Sequence, residues 1–214
     1  MKLPKKSYHA LIAKDKNRSR GRGRVWRTLS LVIPILSLVA GLYVLSLVYA
    51  PKLTPLLNAG RVEKTISSST PQKGNDRIYI QKLGINVPVK AGDASVMKDS
   101  VWHRYPERGN PVMGGNFIVS AHRWHRGNTP AETIAQSPFY NADRLTNGDS
   151  IFVDWEGKRY KYDIDRTYEV KPDQVEIEAP LNPGEEAKLT LYTCTLKGAA
   201  DGRVVVEAKL AEVI

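Results

Sequence analysis

Cysteine is nearly absent from this chain: of 214 residues, only Cys194 carries a thiol. One thiol excludes an internal disulfide, so no covalent staple holds the fold together. Histidine is scarce too, and acid–base or metal chemistry must draw on His9, His103, His122 and His125. Charge is missing from residues 29–50, a run of 22. Acids are almost missing before that run, where residues 1–27 hold ten Lys and Arg against Asp15 alone. Nearly all of the formal net charge of +10 therefore sits in the tail, and the remaining chain is close to neutral. Such a body is not the electrostatic footprint of a nucleic-acid-binding domain. Beyond residue 50 no helical periodicity lasts more than a few turns, and no segment repeats.

Crossing a bilayer takes about 20 apolar residues, so 29–50 is expected to be a transmembrane helix, a setting that tolerates Pro34 and Gly41. A cleaved signal peptide is the rival, but its apolar core runs only about 7–15 residues, and Pro51 after Val48-Tyr49-Ala50 disfavours cutting. Basic flanks stay on the cytoplasmic side, which puts the chain after residue 50 outside. The Arg/Gly-rich piece 18–24 has a nucleic-acid alternative; beside a span, a topogenic role with contact to anionic lipid fits better. The expected plan is a basic cytoplasmic tail (1–28), an anchor (29–50), a Pro/Ser/Thr-rich linker or stalk (51–76) whose residues 52–59 could extend the helix a little, and a folded domain (77–214).

Within that domain, residues 77–83 and 85–89 read as short strands broken at Gly84, with Pro88 at an edge or end. A short helix is expected within 93–103, followed by a Pro/Gly loop. Residues 115–121 read as a strand that delivers His122 at its end. A second short helix begins at Thr129-Pro130, with Phe139 turned to the core. Residues 149–155 and 158–165 alternate around Glu156-Gly157, the clearest hairpin signal in the chain. After a Pro/Glu-rich connection, 189–196 and 204–206 read as two strands around a Gly/Ala/Asp loop. Many short strands at close spacing indicate an all-β barrel or sandwich.

Strand alternation puts Thr190, Tyr192 and Cys194 on one face and Leu189, Leu191 and Thr193 on the other. Arg203 opens the next strand, so a thiol and a guanidinium can face each other. A thiolate attacks carbonyls, and a fixed cation stabilises the oxyanion that results. Each residue also has an ordinary reading: Cys194 as a small core residue, His122 as a strand cap, Arg203 as a solvated strand-end charge.

Thr190-Leu191-Tyr192-Thr193-Cys194 resembles the TLxTC signature of the sortases, bacterial surface transpeptidases. Arg203 stands nine residues on, the spacing of pilus-type class C or related D/E members. Gly115-Asn116-Phe117-Ile118-Val119-Ser120-Ala121-His122-Arg123 resembles the family strand that ends in the catalytic histidine, and 78–89 resembles its opening strands. The resemblance implies a closed β-barrel of about eight strands with short connecting helices. It also implies Cys194 as nucleophile, His122 rather than His125 as acid–base, and Arg203 at the oxyanion. Thr193 enters as a weaker substrate contact, since its side chain should point away from Cys194.

By the same resemblance the substrate is an LPxTG-like sorting signal on a surface protein, and the acceptor is an amine of a peptidoglycan precursor or a pilin. No cofactor is expected, and no metal, because His122 and His125 lack a third ligand. Glu176, Glu178, Glu185 and Glu186 offer a calcium alternative known in some sortases, although acidic loops are mostly just solvated. Trp102 and Trp124 could line a groove or be buried. The aromatic lid and second span of some pilus-type members find no counterpart in the sequence. Two readings of other classes stay open: a non-catalytic tethered barrel that binds a partner, with Cys194 buried, and another thiol enzyme. A plain cysteine peptidase fits the latter better than an L,D-transpeptidase, whose Ser/His-Gly-Cys signature Thr193-Cys194-Thr195 lacks.

Overall fold

The computed structural model describes residues 5–182 and 184–214, and among them the side chains of 26, 27, 29–182 and 184–214. The basic tail thus lies almost wholly outside the described side chains. Helix α1 (Lys5–Ser68) contains the uncharged run. Within residues 29–68 an 18-residue stretch reaches a mean hydropathy of 2.5, and this is the one helix among the described residues long and apolar enough to cross a membrane.

Nine strands follow: β1 (Arg77–Ile80), β2 (Ile85–Ala91), β3 (Val101–Arg104), β4 (Gly109–Asn110), β5 (Gly114–Ser120), β6 (Ser150–Trp155), β7 (Lys158–Val170), β8 (Lys188–Thr195) and β9 (Gly198–Val213). They run in the order β3-β2-β1-β6-β7-β9-β8-β5, and β3 pairs back with β5, so eight strands close a barrel while β4 pairs only with β5. Closure pairs each of the eight barrel strands on both sides. Most pairs are antiparallel; β2–β3 and β5–β8 are parallel. Inward-facing Ile78, Ile80, Phe117, Val119, Ile151, Val153, Leu189, Leu191, Val204 and Val206 fill the interior.

The expected hairpin is β6–β7, and its turn takes positive φ at both Glu156 (47°) and Gly157 (82°), the conformation that matches strand twist. The short helix α2 (Pro130–Ala135) starts as expected, with the Thr129 hydroxyl accepting from the Glu132 N–H, and Phe139 is fully buried. Within 93–103 the structure departs from expectation. A 3₁₀ turn occupies only Ala94–Lys98, and Val101–Arg104 is strand β3 instead. Four residues are too few to register as a strand on their own; they need β2 and β5 on either side.

The segment expected to be a linker is helical as far as Ser68. Pro55 has no N–H to give the Pro51 carbonyl, and Asn141 Nδ2 donates to that oxygen instead, at 2.9 Å. Gly84, at φ 66°, lets the helix backbone come close: a Cβ there would lie 2.8 Å from the Thr54 carbonyl. Val62 is buried against the barrel. At the carboxyl end, Arg159 donates to the Ile66 carbonyl and, at 3.1 Å, to the Ser69 hydroxyl. A side chain of the barrel thus satisfies a carbonyl that a free helix end would leave to water.

Arg159 also forms a two-pronged ion pair with Asp154, at 2.7 and 2.9 Å, and Tyr79 donates to the same carboxylate at 3.0 Å. Both partners of the pair are buried. Arg159→Leu should therefore lower stability by about 3–5 kcal/mol, because Asp154 is left charged and unpaired. Thermal melting should fall by on the order of 10 °C, and Asp154→Asn added to that variant should restore part of the loss.

Candidate active site

Cross-strand partners share a face, and that rule places the three residues the sequence singles out. In β8–β9, Cys194 pairs with Arg203, Tyr192 with Val205 and Thr190 with Glu207. In β5–β8 the pairs run from Asn116–Lys188 to Ser120–Tyr192 at a constant offset of 72 residues. The ladder ends there, and the same offset continued two residues further would reach His122 and Cys194. The Thr193 hydroxyl donates to the Ala121 carbonyl at 2.8 Å and keeps the chain alongside β8 at that point. Thr193 points inward and is buried, so Cys194, next along β8, points outward; Ala121 is buried and His122 half-buried just past β5.

The sulfur and the guanidinium therefore belong to one end of one outward face, and His122 follows just past the end of the neighbouring strand β5. Cys194 is half-buried, not sealed among the core leucines. Thr193, the weaker binding candidate, spends its hydroxyl on the Ala121 carbonyl inside the barrel.

The register of β9 shifts between Cys194 and Thr195, and residues 199–202 have no partner on β8. This is the Gly/Ala/Asp loop of the sequence, bulged out opposite the cysteine. A bulge re-aims the side chains beside it. Thr195 braces it by donating to Asp201 at 2.7 Å. Arg203 is the first residue of β9 to pair on both sides, with Cys194 and with Val170. Its Nη1 donates to the Ala199 and Gly202 carbonyls at 2.6 and 3.0 Å, which fixes the guanidinium over the bulge. Both bonds leave from Nη1, so Nε and Nη2 carry the donors suited to an incoming oxygen.

The floor of the face is apolar: Ile118, Tyr192 and Val205, with Tyr105, Tyr168, Val170 and Ile177 packed on them. Above it, the connection from β7 to β8 is pinned at its 3₁₀ turn (Val175–Glu178). Asn116 Nδ2 donates to the Ile177 and Ala179 carbonyls at 3.3 and 2.9 Å, and Arg108 donates to the Glu178 carbonyl. The Glu178 carboxylate pairs with Arg104 at 2.9 Å and accepts from the Tyr192 hydroxyl, which in turn accepts from Arg104. Burial, and then the bond to Glu178, push the Tyr192 phenol above its ordinary range. A cavity of about 210 Å³ lies here, lined by Tyr105, Pro172, Val175, Ile177, Tyr192 and Arg203 among others.

Sequence reasoning missed Arg104 and Glu178. Glu178 read as one acid of a solvated loop or a calcium cluster, yet it is buried and paired. Glu185 bonds Asn182, and Glu186 pairs with Lys209. Among the described residues no three His, Cys, Asp or Glu side chains converge as a metal site would need. Trp102 is half-buried, with its indole N–H on the Gly92 carbonyl, and Trp124 is exposed.

His122 and His125 stack, with ring centroids 4.9 Å apart. Burial holds the His122 imidazole below its ordinary pKa, and the nearby charge of His125 adds to the effect. A lowered pKa means that the imidazolium is lost at a lower pH than in a free histidine. His125→Asn removes the second cause, so His122 should then titrate at higher pH. Histidine ring resonances followed by NMR through the titration check the direction.

The family model for the Sortase domain matches residues 78–211. The chain belongs to the sortase family, and with it to the cysteine transpeptidases. Sortase E from Streptomyces avermitilis is 29% identical, with 68% of this chain and 93% of that one covered and a TM-score of 0.52. SrtA sortase from Actinomyces oris is 27% identical over 69% of this chain and 82% of that one, with a TM-score of 0.51. Sortase C-1 from Actinomyces oris, at 24% identity and a TM-score of 0.53 over 64% of this chain and 73% of that one, shares the fold. No curated protein is similar enough to count as a relative.

Proposed function

We propose that this protein is a membrane-anchored sortase that cleaves an LPxTG-like sorting signal through a thioester on Cys194 and passes the acyl group to an amine. The observation that supports it is the pairing of Cys194 with Arg203 across β8 and β9, with β5 running alongside β8 toward His122. The Cys194 thiolate attacks the carbonyl carbon of the scissile peptide bond, and the carbonyl π electrons move onto oxygen. Arg203 holds that oxyanion with Nε and Nη2, donors that need not reorganise during the reaction.

As the tetrahedral state collapses, the C–N bond breaks and the His122 imidazolium gives its proton to the leaving amine. The thioester remains on Cys194. The acceptor amine then attacks it, His122 takes the proton, and the thiolate leaves as the new amide forms. The apolar floor of Ile118, Tyr192 and Val205 offers surface for an extended peptide, and the pinned connection from β7 to β8 forms its wall.

The anchor is the apolar run 29–50, single-pass, with the basic tail cytoplasmic and the barrel outside. Donors are surface proteins that carry the signal; the acceptor is an amine of a peptidoglycan precursor or a pilin. Incubating the full chain with a sorting-peptide library and several amines, with products read by mass, tests the reading. Joined products support it. An intact peptide pool, together with a Cys194 that resists a small thiol-reactive sulfone in the folded protein, would favour a binding barrel instead.

A further inference from the structure

The helix that packs on the barrel has two faces of different kinds. Pro51, Thr54, Asn58, Val62 and Ile66 recur every three or four residues and turn to the barrel. On the other side, Leu53, Leu56 and Leu57 are exposed at 46%, 84% and 65%. At 3.6 residues per turn these three fall on one stripe. Three leucines left together in water mark a contact surface, not ordinary scatter. Lys52, Arg61 and Lys64 are exposed on the same helix, and Glu63 is the only acid from residue 51 to 68.

We infer that this outward face lies in the lipid interface, with the leucines among the acyl-chain boundary and the cations at anionic headgroups. The barrel is then seated on the bilayer, not lifted off it by a stalk. Two observations carry the lipid assignment. The leucine stripe begins three residues after the uncharged run ends, in the same helix. Apolar residues followed by Lys and Arg form the pattern of an interfacial helix, in which apolar burial and attraction to anionic lipid add. The barrel's hold on Pro51, Ile66 and Ser69 leaves the helix no freedom to turn its leucines inward.

The inference rests on the anchor reading, and the test separates the two. In the full chain with Cys194→Ser, single cysteines placed by Leu38→Cys, Leu56→Cys or Lys73→Cys are spin-labelled and reconstituted in vesicles of mixed zwitterionic and anionic phospholipid. Relaxation by oxygen, which partitions into lipid, is compared with relaxation by a water-soluble nickel chelate. The labels at 38 and 56 should both favour oxygen, and the label at 73 should favour the chelate. A label at 56 that behaves like 73 while 38 stays lipid-like overturns the interfacial face and leaves the anchor standing. A chelate-accessible label at 38 overturns the anchor, and the inference with it. Spin–spin broadening at 56 that vanishes on dilution with unlabelled chain would assign the face to a second copy and overturn the lipid assignment.

Discussion

Cys194→Ala is expected to abolish cleavage and transfer of a sorting peptide, by on the order of 10⁴-fold or more, while melting within about 2 °C of the parent. The two halves of that result have separate causes. Without a nucleophile no thioester forms, and neither His122 nor Arg203 can replace the lost covalent step. Stability barely changes because the side chain is half-buried on the outward face, outside the cluster of Leu189, Leu191 and Val204 that fills the barrel. A core cysteine would behave in the opposite way, costing stability through the space its sulfur vacates. Activity against a labelled peptide, measured beside a thermal melt of the same sample, distinguishes the two.

Arg203→Lys should lower kcat by about 10²–10³-fold, the usual cost of removing one oxyanion donor, with a smaller effect on KM. Charge is kept, so the loss isolates geometry. A guanidinium can hold the Ala199 and Gly202 carbonyls through Nη1 and still present a planar edge to the substrate. An ammonium is a single point with no such edge. Added guanidine should rescue Arg203→Ala in part, a readout that a purely structural arginine would not give. Normal turnover in Arg203→Lys would remove Arg203 from the oxyanion.

Much of the barrel and of the candidate site is legible in the sequence, because strand alternation is a local signal. The period of two from Leu189 to Thr195 is enough to separate Cys194 from the core leucines, and the β6–β7 hairpin announces itself at Glu156-Gly157. The parts that escape depend on partners far along the chain. Glu178 is ordinary in its loop and becomes intelligible only once Arg104, 74 residues away, is beside it. Strand β3 exists because β2 and β5 flank it. The helix from Pro51 to Ser68 reads as a linker because Pro, Ser and Thr are weak helix formers. Asn141 and Arg159 supply the carbonyl partners that the local sequence lacks.

The strand β9 shows a third kind of difficulty. Its first residues, Gly198 to Gly202, look like a loop yet belong to the strand, and 199–202 bulge away from β8. Composition reads the local chain correctly here but cannot say that Arg203 is where double-sided pairing begins. The proposed chemistry depends on that position, since it pairs Arg203 with Cys194.

Intact-mass measurement of the full chain, quenched in acid shortly after mixing with a sorting peptide and no amine, tests the central claim most directly. The account predicts an adduct equal to the N-terminal portion of the peptide, mapped to Cys194, that disappears when an acceptor amine is added. Cleaved peptide with no adduct on Cys194 under any quench, or an adduct that persists in Cys194→Ala, would contradict it.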